Sequence, residues 1–295
     1  MATKILVAGA TGNIGGRIIR ELLERKAEVR VLVRATADKD KVEKLNQQGV
    51  EIIRVTDWNI SELTKACEGV ACVVSALQGL HDVIVDAQSV LLDAAVAAGV
   101  QRFIPSDFAT DITKVPKGFN RNFDLRKEFH EYLDKAAIRP TSIMNGAFAE
   151  ILTYNVPLLN FKEKTVGYWG SADWRIDFST MDNTAAYTAA AAMDASAPRI
   201  LRIASFQVTP AELAEAAGEI LHTKFELKRL GSPDDLAAYN QHERTAHPEG
   251  ENEVFPSWQR SQYTHGMFTV HFEKTDNTRY PDIHWTSLNE VLAQK

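Results

Sequence analysis

The stretch "KILVAGATGNIGG", Lys4–Gly16, constrains this chain more than any other. An apolar run through Ile5, Leu6 and Val7 meets Gly9, Gly12 and Gly15, and a helical apolar pattern follows at once in Ile18, Ile19, Leu22 and Leu23. A strand that enters a helix through such a turn needs close backbone approach, which residues without a β-carbon permit. The free amides at the helix start then attract an anion. The pattern predicts the pyrophosphate cradle of a dinucleotide-binding βαβ unit, with Thr11, Asn13 and Ile14 beside the glycines as cofactor contacts.

The segments "VRVLVR", "VEIIRV", "VACVVSA", "QRFIPSD" and "TSIMNGA" are rich in Val and Ile and alternate with helix-like stretches or loops. Such alternation predicts an α/β fold, a doubly wound parallel sheet of the Rossmann kind. Val90, Leu91, Ala94, Ala95 and Ala98 form one apolar helix face, and Gly99 closes that helix. After about Ala149 the pattern loosens into "GYWGSADWRIDFS", an Ala-rich helix, the strand "RILRIA" and a helix opened by Thr209 and Pro210. The expected organisation is an NAD(P)-binding domain over 1–150 and a smaller α+β substrate domain over 151–295, interleaved with the last strands of the sheet.

Composition narrows the function classes. The 33 basic and 39 acidic residues lie intermixed and leave a net charge of −6, so no nucleic-acid surface is expected. No apolar run approaches the roughly 20 residues of a membrane helix, and the N-terminal residues lack a signal-peptide pattern; a soluble, cytoplasmic protein is the expectation. Cys67 and Cys72 lack metal-ligand spacing and read as buried free thiols, with no metal site. The polar stretch "QHERTAHPEGENEV" reads as a mobile loop with His242 and His247 solvated.

About 20 residues after the glycines, an NAD-preferring site presents an acid to the ribose 2′-hydroxyl. Here "VLVR" delivers Arg34, and Lys39 or Lys41 in the following loop adds a second charge. Cations suit a 2′-phosphate, so NADP(H) is the expected cofactor. Ser75, Ala76 and Leu77 end the fourth strand and are expected along the cofactor, because ligands sit at the carboxyl ends of parallel strands.

With "RFIPSDF" (Arg102 to Phe108) and the turn holding Asn145, Gly146 and Phe148, these residues resemble the NmrA-like and isoflavone-reductase-like branch of the atypical short-chain dehydrogenases. The resemblance covers roughly residues 4 to 225. It implies NADPH-dependent reduction of phenylpropanoid compounds or quinones, or, in other members, dinucleotide binding without turnover by a redox-responsive regulator. Asn145 is read as a cofactor contact; Ser106 is expected at the strand end by the nicotinamide or as a turn residue, and Phe108 and Phe148 at the nicotinamide's border or in the core.

The helix "FDLRKEFHEYLDKA" decides between these outcomes. No tyrosine has a lysine four residues on, so the Tyr-x-x-x-Lys device of the major short-chain dehydrogenases is missing. Tyr132 joins Leu125, Phe129, Leu133 and Ala136 at helical spacing and is expected in the core. The branch's lysine aligns with Arg126, which can hydrogen-bond a ribose or polarise a carbonyl but cannot act as a general base. Lys127 is the alternative catalytic donor, about 100° further round the helix. His130 reads as structural or solvated, and Asp107 as a residue that orients Arg126 or Lys127 or as a turn residue. Trp169, Trp174, Phe255, Trp258 and Met267 supply apolar surface for an aromatic or quinone-like substrate. The reading is an NADPH-dependent reductase, with an NADP(H) sensor as its competitor and a homodimer or a regulatory protein as partner.

Overall fold

The computed structural model describes residues 3–295. Its elements run β1 (Lys4–Ala8), α1 (Asn13–Glu24), β2 (Glu28–Arg34), α2 (Lys39–Gln47), β3 (Glu51–Val55), α3 (Ile60–Cys67), β4 (Cys72–Ser75), α4 (Gln88–Ala97) and β5 (Arg102–Ile104). There follow α5 (Arg121–Leu133), β6 (Arg139–Pro140), β7 (Ser142–Met144), β8 (Ala147–Phe148), β9 (Thr165–Trp169), β10 (Ile176–Ser179) and α6 (Met181–Met193). The chain ends with β11 (Ile200–Arg202), β12 (Phe206–Val208), α7 (Pro210–Ile220), β13 (Glu226–Gly231), α8 (Pro233–Ala246), α9 (Ser257–Met267) and α10 (Leu288–Leu292).

Two compact units emerge. One holds the chain through Asp107 with Leu125–Ile143 and Thr184–Leu201; the other holds Phe108–Asp124, Met144–Asn183 and Arg202–Lys295. The first carries a parallel sheet in the order β3-β2-β1-β4-β5-β6. Strand order reverses between β1 and β4, and ligands of such sheets bind beyond the carboxyl ends at this switch point. Ile18, Ile19 and Leu22 of α1 are fully buried, as are Leu91, Ala94 and Ala95 of α4, so helices cover the sheet as its continuous apolar strands require. Gly99, at φ 74°, follows α4 in the left-handed conformation that ends a helix. A π-helical turn, Asp82–Ala87, precedes α4 and was invisible to periodicity. β6 stops at Pro140, which has no N–H to donate.

The second unit packs Leu152, Leu158, Leu159, Val166, Ile176 and Phe178 against Leu213, Ala217, Phe268 and Leu292. Its helix α7 opens with a capping box between Thr209 and Glu212, as the Thr-Pro pair predicts.

Three expectations need correction. The stretch expected as a mobile loop is helical: α8 runs through Ala246 and a 3₁₀ turn covers Pro248–Asn252. Arg244 pairs within the stretch with Glu251 at 2.5 Å, and the distant Arg121 donates to the carbonyls of Gly250 and Glu253 at 3.1 and 2.7 Å, supplying order that local composition lacks. Tyr132 is 43% exposed and donates to Asp93 at 2.7 Å. It sits at the edge of the Phe129–Leu133 stripe, where the phenol reaches a polar partner. Lys39 and Lys41 lie in the first turn of α2 rather than in a loop, behind an Asp38 side chain that accepts from the Lys41 amide at 3.0 Å. Among the described residues, no helix is long and apolar enough to cross a membrane.

Candidate cofactor and active site

The glycine turn leaves the carboxyl end of β1 beside that of β4. Gly9 has φ 83°, and a β-carbon on it would overlap the carbonyl oxygen of Ala76; one on Gly15 would overlap the carbonyl oxygen of Gly9. The backbone itself therefore demands glycine at both positions. Gly12 caps α1 without a side-chain hydrogen bond, and the first turn of α1 carries no acid. The positive end of the helix thus has no internal counter-charge, an arrangement that suits a phosphate. Gly12 and Asn13 are exposed there, with Thr11 and Ile14 half-buried. Arg34 is exposed at the carboxyl end of β2, as are Lys39 and Lys41 in α2.

Past β4, Ser75 is fully buried with an unpartnered hydroxyl, Ala76 is buried and Leu77 half-buried. The ends of β4 and β5 are tied together. The Ser106 hydroxyl donates to the Leu77 carbonyl at 2.6 Å, and the Ser106 amide donates to Oε1 of Gln88 at 3.0 Å. Gln88 in turn donates to the Ile84 carbonyl at 2.9 Å, inside the π-helical turn. Sequence reasoning missed Gln88; a long amide within the apolar "VIVDAQSVLLDAA" was its only signal.

Arg126 is half-buried, and its Nε donates to the carbonyl oxygens of Ser106 and Asp107, both at 3.0 Å. Lys127 is also half-buried, so neither cation is simply solvated. The Asp107 side chain meets His130. Its carboxylate accepts from His130 Nε2 at 3.0 and 2.9 Å, while its carbonyl holds the arginine. His130 is thereby neither solvated nor isolated; it is 8% exposed, opposite an Asp107 that is 1% exposed. Burial pushes the Asp107 carboxyl up, but the electrostatic pull and hydrogen bond of His130, a hydrogen bond from Ser142 and the Arg126 charge bring it below the ordinary carboxylate range.

The other expected residues lie in the second unit. Phe108 takes φ 34°, a left-handed value that is rare for a bulky side chain and characteristic of functional sites. Asn145 is fully buried; its backbone amide donates to the Ala109 carbonyl at 2.8 Å, yet neither its side-chain oxygen nor its nitrogen has a partner. A buried carboxamide with both ends unsatisfied fits a polar ligand such as a nicotinamide nucleotide. Gly146 has φ 67° and backs so closely onto Asp177 that a β-carbon would overlap its carbonyl oxygen. Phe148 is half-buried in β8.

Of the aromatic residues expected to face a substrate, Trp258 does not: it is 1% exposed, with the guanidinium groups of Arg121 and Arg244 at 4.7 and 5.2 Å from its ring centroid. Trp169 packs against Phe268 with centroids 5.3 Å apart, and Trp174 donates to the Met267 carbonyl at 3.0 Å, while Phe255 stays 38% exposed. A cavity of about 800 Å³ between α7 and β13, lined by Glu215, His222, Lys224 and Glu226, contains none of the expected site residues. Among the described residues, no three His, Cys, Asp or Glu side chains gather as a metal ion requires.

The sequence profile of the NmrA-like family matches residues 1–244. Pinoresinol reductase 1 of Arabidopsis thaliana is 29% identical over 98% of this chain and 96% of its own length. Among solved structures, that of AtPrR2 with NADP⁺ and (+)-pinoresinol superposes with a TM-score of 0.79 at 24% identity, covering 100% of this chain and 99% of the other. The crystal structure of an isoflavone reductase superposes with a TM-score of 0.83 at 19% identity over the same shares. These superpositions carry the fold, a parallel-sheet dinucleotide-binding architecture. With the glycine turn, the end of β5 and the Asn145 turn all inside the span of the profile, this chain belongs to the NmrA-like family.

Proposed function

We propose that this protein is an NADPH-dependent reductase of aromatic small molecules of phenylpropanoid or quinone type. One observation carries the cofactor assignment: the N-terminus of α1, uncapped by any side chain and free of acids in its first turn, follows the glycine turn at the switch point of the sheet. Gly9, Thr11, Gly12, Asn13, Ile14 and Gly15 then bind the pyrophosphate, and Arg34, with Lys39 or Lys41, meets the 2′-phosphate. Ser75, Ala76, Leu77 and Ser106 line the cofactor in the first unit. Phe108, Asn145 and Phe148 are further candidate cofactor contacts. The dinucleotide, when bound, supplies the hydride. Likeness to pinoresinol reductase 1 along nearly the whole chain supports the substrate class.

Arg126 keeps its guanidinium fixed by two carbonyls, which suits it to polarise a carbonyl oxygen or bind a ribose. It cannot remove a proton, so Lys127 is the proton donor in this reading. The same substitution favours a second reading, a dinucleotide sensor working through a protein partner. Oxidation of NADPH followed at 340 nm with pinoresinol, isoflavones, enones and quinones, in the parent and in Arg126→Ala and Lys127→Ala, separates the two. Turnover lost in one variant supports the reductase and names the residue that supports chemistry. Tight NADPH binding without turnover on any compound favours the sensor.

A further inference from the structure

The buried pair of Asp107 and His130 joins residues 23 apart in sequence, and the reductase reading assigns no step to either side chain. Three tethers converge on the short segment at the end of β5. Ser106 is held through its hydroxyl by Leu77 and through its amide by Gln88, at 2.6 and 3.0 Å. Asp107 is held through its carboxylate by His130, at 2.9 Å. The carbonyl oxygens left over from these tethers, one from each residue, both accept from Nε of Arg126.

Arg126 and His130 are four residues apart on α5 and so share a helix face. One clasps the peptide by its carbonyls, the other by the side chain of the same residue. We propose that His130 and Asp107 are positioning residues, whose pair holds the Ser106–Asp107 backbone in the one arrangement that fixes the guanidinium of Arg126 at the carboxyl end of β5. This rests on the reading of Arg126 as a contact to cofactor or substrate.

The geometry excludes a nucleophile triad. Ser142 Oγ lies 3.4 Å from the same Nε2 that binds Asp107, so the imidazole does not bridge a serine and an acid through its two nitrogens. Ser142 instead accepts from Nη1 of Arg199 at 2.6 Å, and Arg199 Nε donates to Asp134 at 2.8 Å. The pair is therefore braced from β7 and from the residue before β11. Loss of one partner strands a buried charge, and the peptide beneath it is free to turn.

The Nε–H of Arg126 reports the arrangement directly in ¹⁵N–¹H spectra, assigned by its disappearance in Arg126→Lys. In the parent it exchanges slowly with solvent. In Asp107→Asn and His130→Ala it exchanges about tenfold faster or more, and His130→Gln, which keeps a donor toward Asp107, recovers part of the protection. Backbone amide spectra confirm that each variant is folded, and His130→Gln carries the test should His130→Ala fail to fold. In the reductase assay the same variants lose about 10- to 100-fold in kcat while the NADPH dissociation constant shifts much less. An Arg126 signal unprotected in the parent, or unchanged in Asp107→Asn and His130→Gln, overturns the positioning role even where turnover falls. A protected signal that the variants release, in a parent with no turnover on any compound, upholds the positioning role and removes the reductase reading alone.

Discussion

Gly9 meets Ala76 backbone to backbone: a β-carbon on Gly9 would overlap the Ala76 carbonyl oxygen and come within 2.6 Å of its carbon. The glycine turn and the end of β4 are thus one packed unit.

Gly9→Ala combines this overlap with an unfavourable φ of 83° and is expected to cost about 3 kcal/mol or more. Gly99→Ala, at φ 74° with nothing within 4 Å of the added carbon, is expected to cost only about 1–2 kcal/mol. Urea unfolding of the two variants checks the order; equal losses would show that Ala76 yields and that φ alone sets the cost.

Arg34→Asp is expected to weaken NADPH binding by about 1.5–3 kcal/mol, the worth of charge-assisted contacts to a phosphate, and to spare NADH. Isothermal titration with both cofactors measures this. Equal affinity for NADPH and NADH in the parent would dismiss the 2′-phosphate assignment.

Cys67 and Cys72 are wholly buried, and burial pushes both thiols up to about 12, against the smaller opposing pull of Arg30 on Cys67 and of Arg102 on Cys72. Since the thiolate is the reactive species, neither thiol is expected to take up iodoacetamide at pH 8 in the native protein, whereas both react in urea. Mass spectrometry of the alkylated protein decides the matter, and modification of native protein would contradict the packing around β4.

Asp177 is pushed up to about 6 by burial, even though Gln207 and the Phe272 amide donate to its carboxylate at 2.6 and 2.8 Å. An acid raised in the folded state holds a proton that the unfolded chain has already released near pH 4. Its stabilising share is complete below that pH, declines as pH rises toward 6, and is gone above it, for a total of about 3 kcal/mol at most. Unfolding free energies at pH 5 and pH 7.5 should therefore differ less in Asp177→Asn than in the parent. Asp107, lowered by His130 and its neighbours, works in the opposite direction: its share is present at neutral pH and is lost as pH falls through its folded value.

Much of the fold was legible because its causes are local. The Val- and Ile-rich runs, the apolar faces of α1 and α4, the Thr209–Pro210 helix start and Gly99 at the end of α4 each follow from backbone sterics and side-chain period within a few residues. So does the glycine turn, whose spacing needs no partner elsewhere to be recognised. By itself, then, the sequence determined the parallel sheet and the glycine turn that joins β1 to α1. Tertiary packing decided the rest. It ordered 241–254 through Arg121, turned Tyr132 toward Asp93, buried Trp258, and left the Asn145 carboxamide unpartnered. It also gave Asp107 to His130 and a pair of carbonyls to Arg126. Such partners come from distant segments, and a buried charge or amide takes whichever complementary group the packing brings within hydrogen-bond reach. No local propensity encodes that choice.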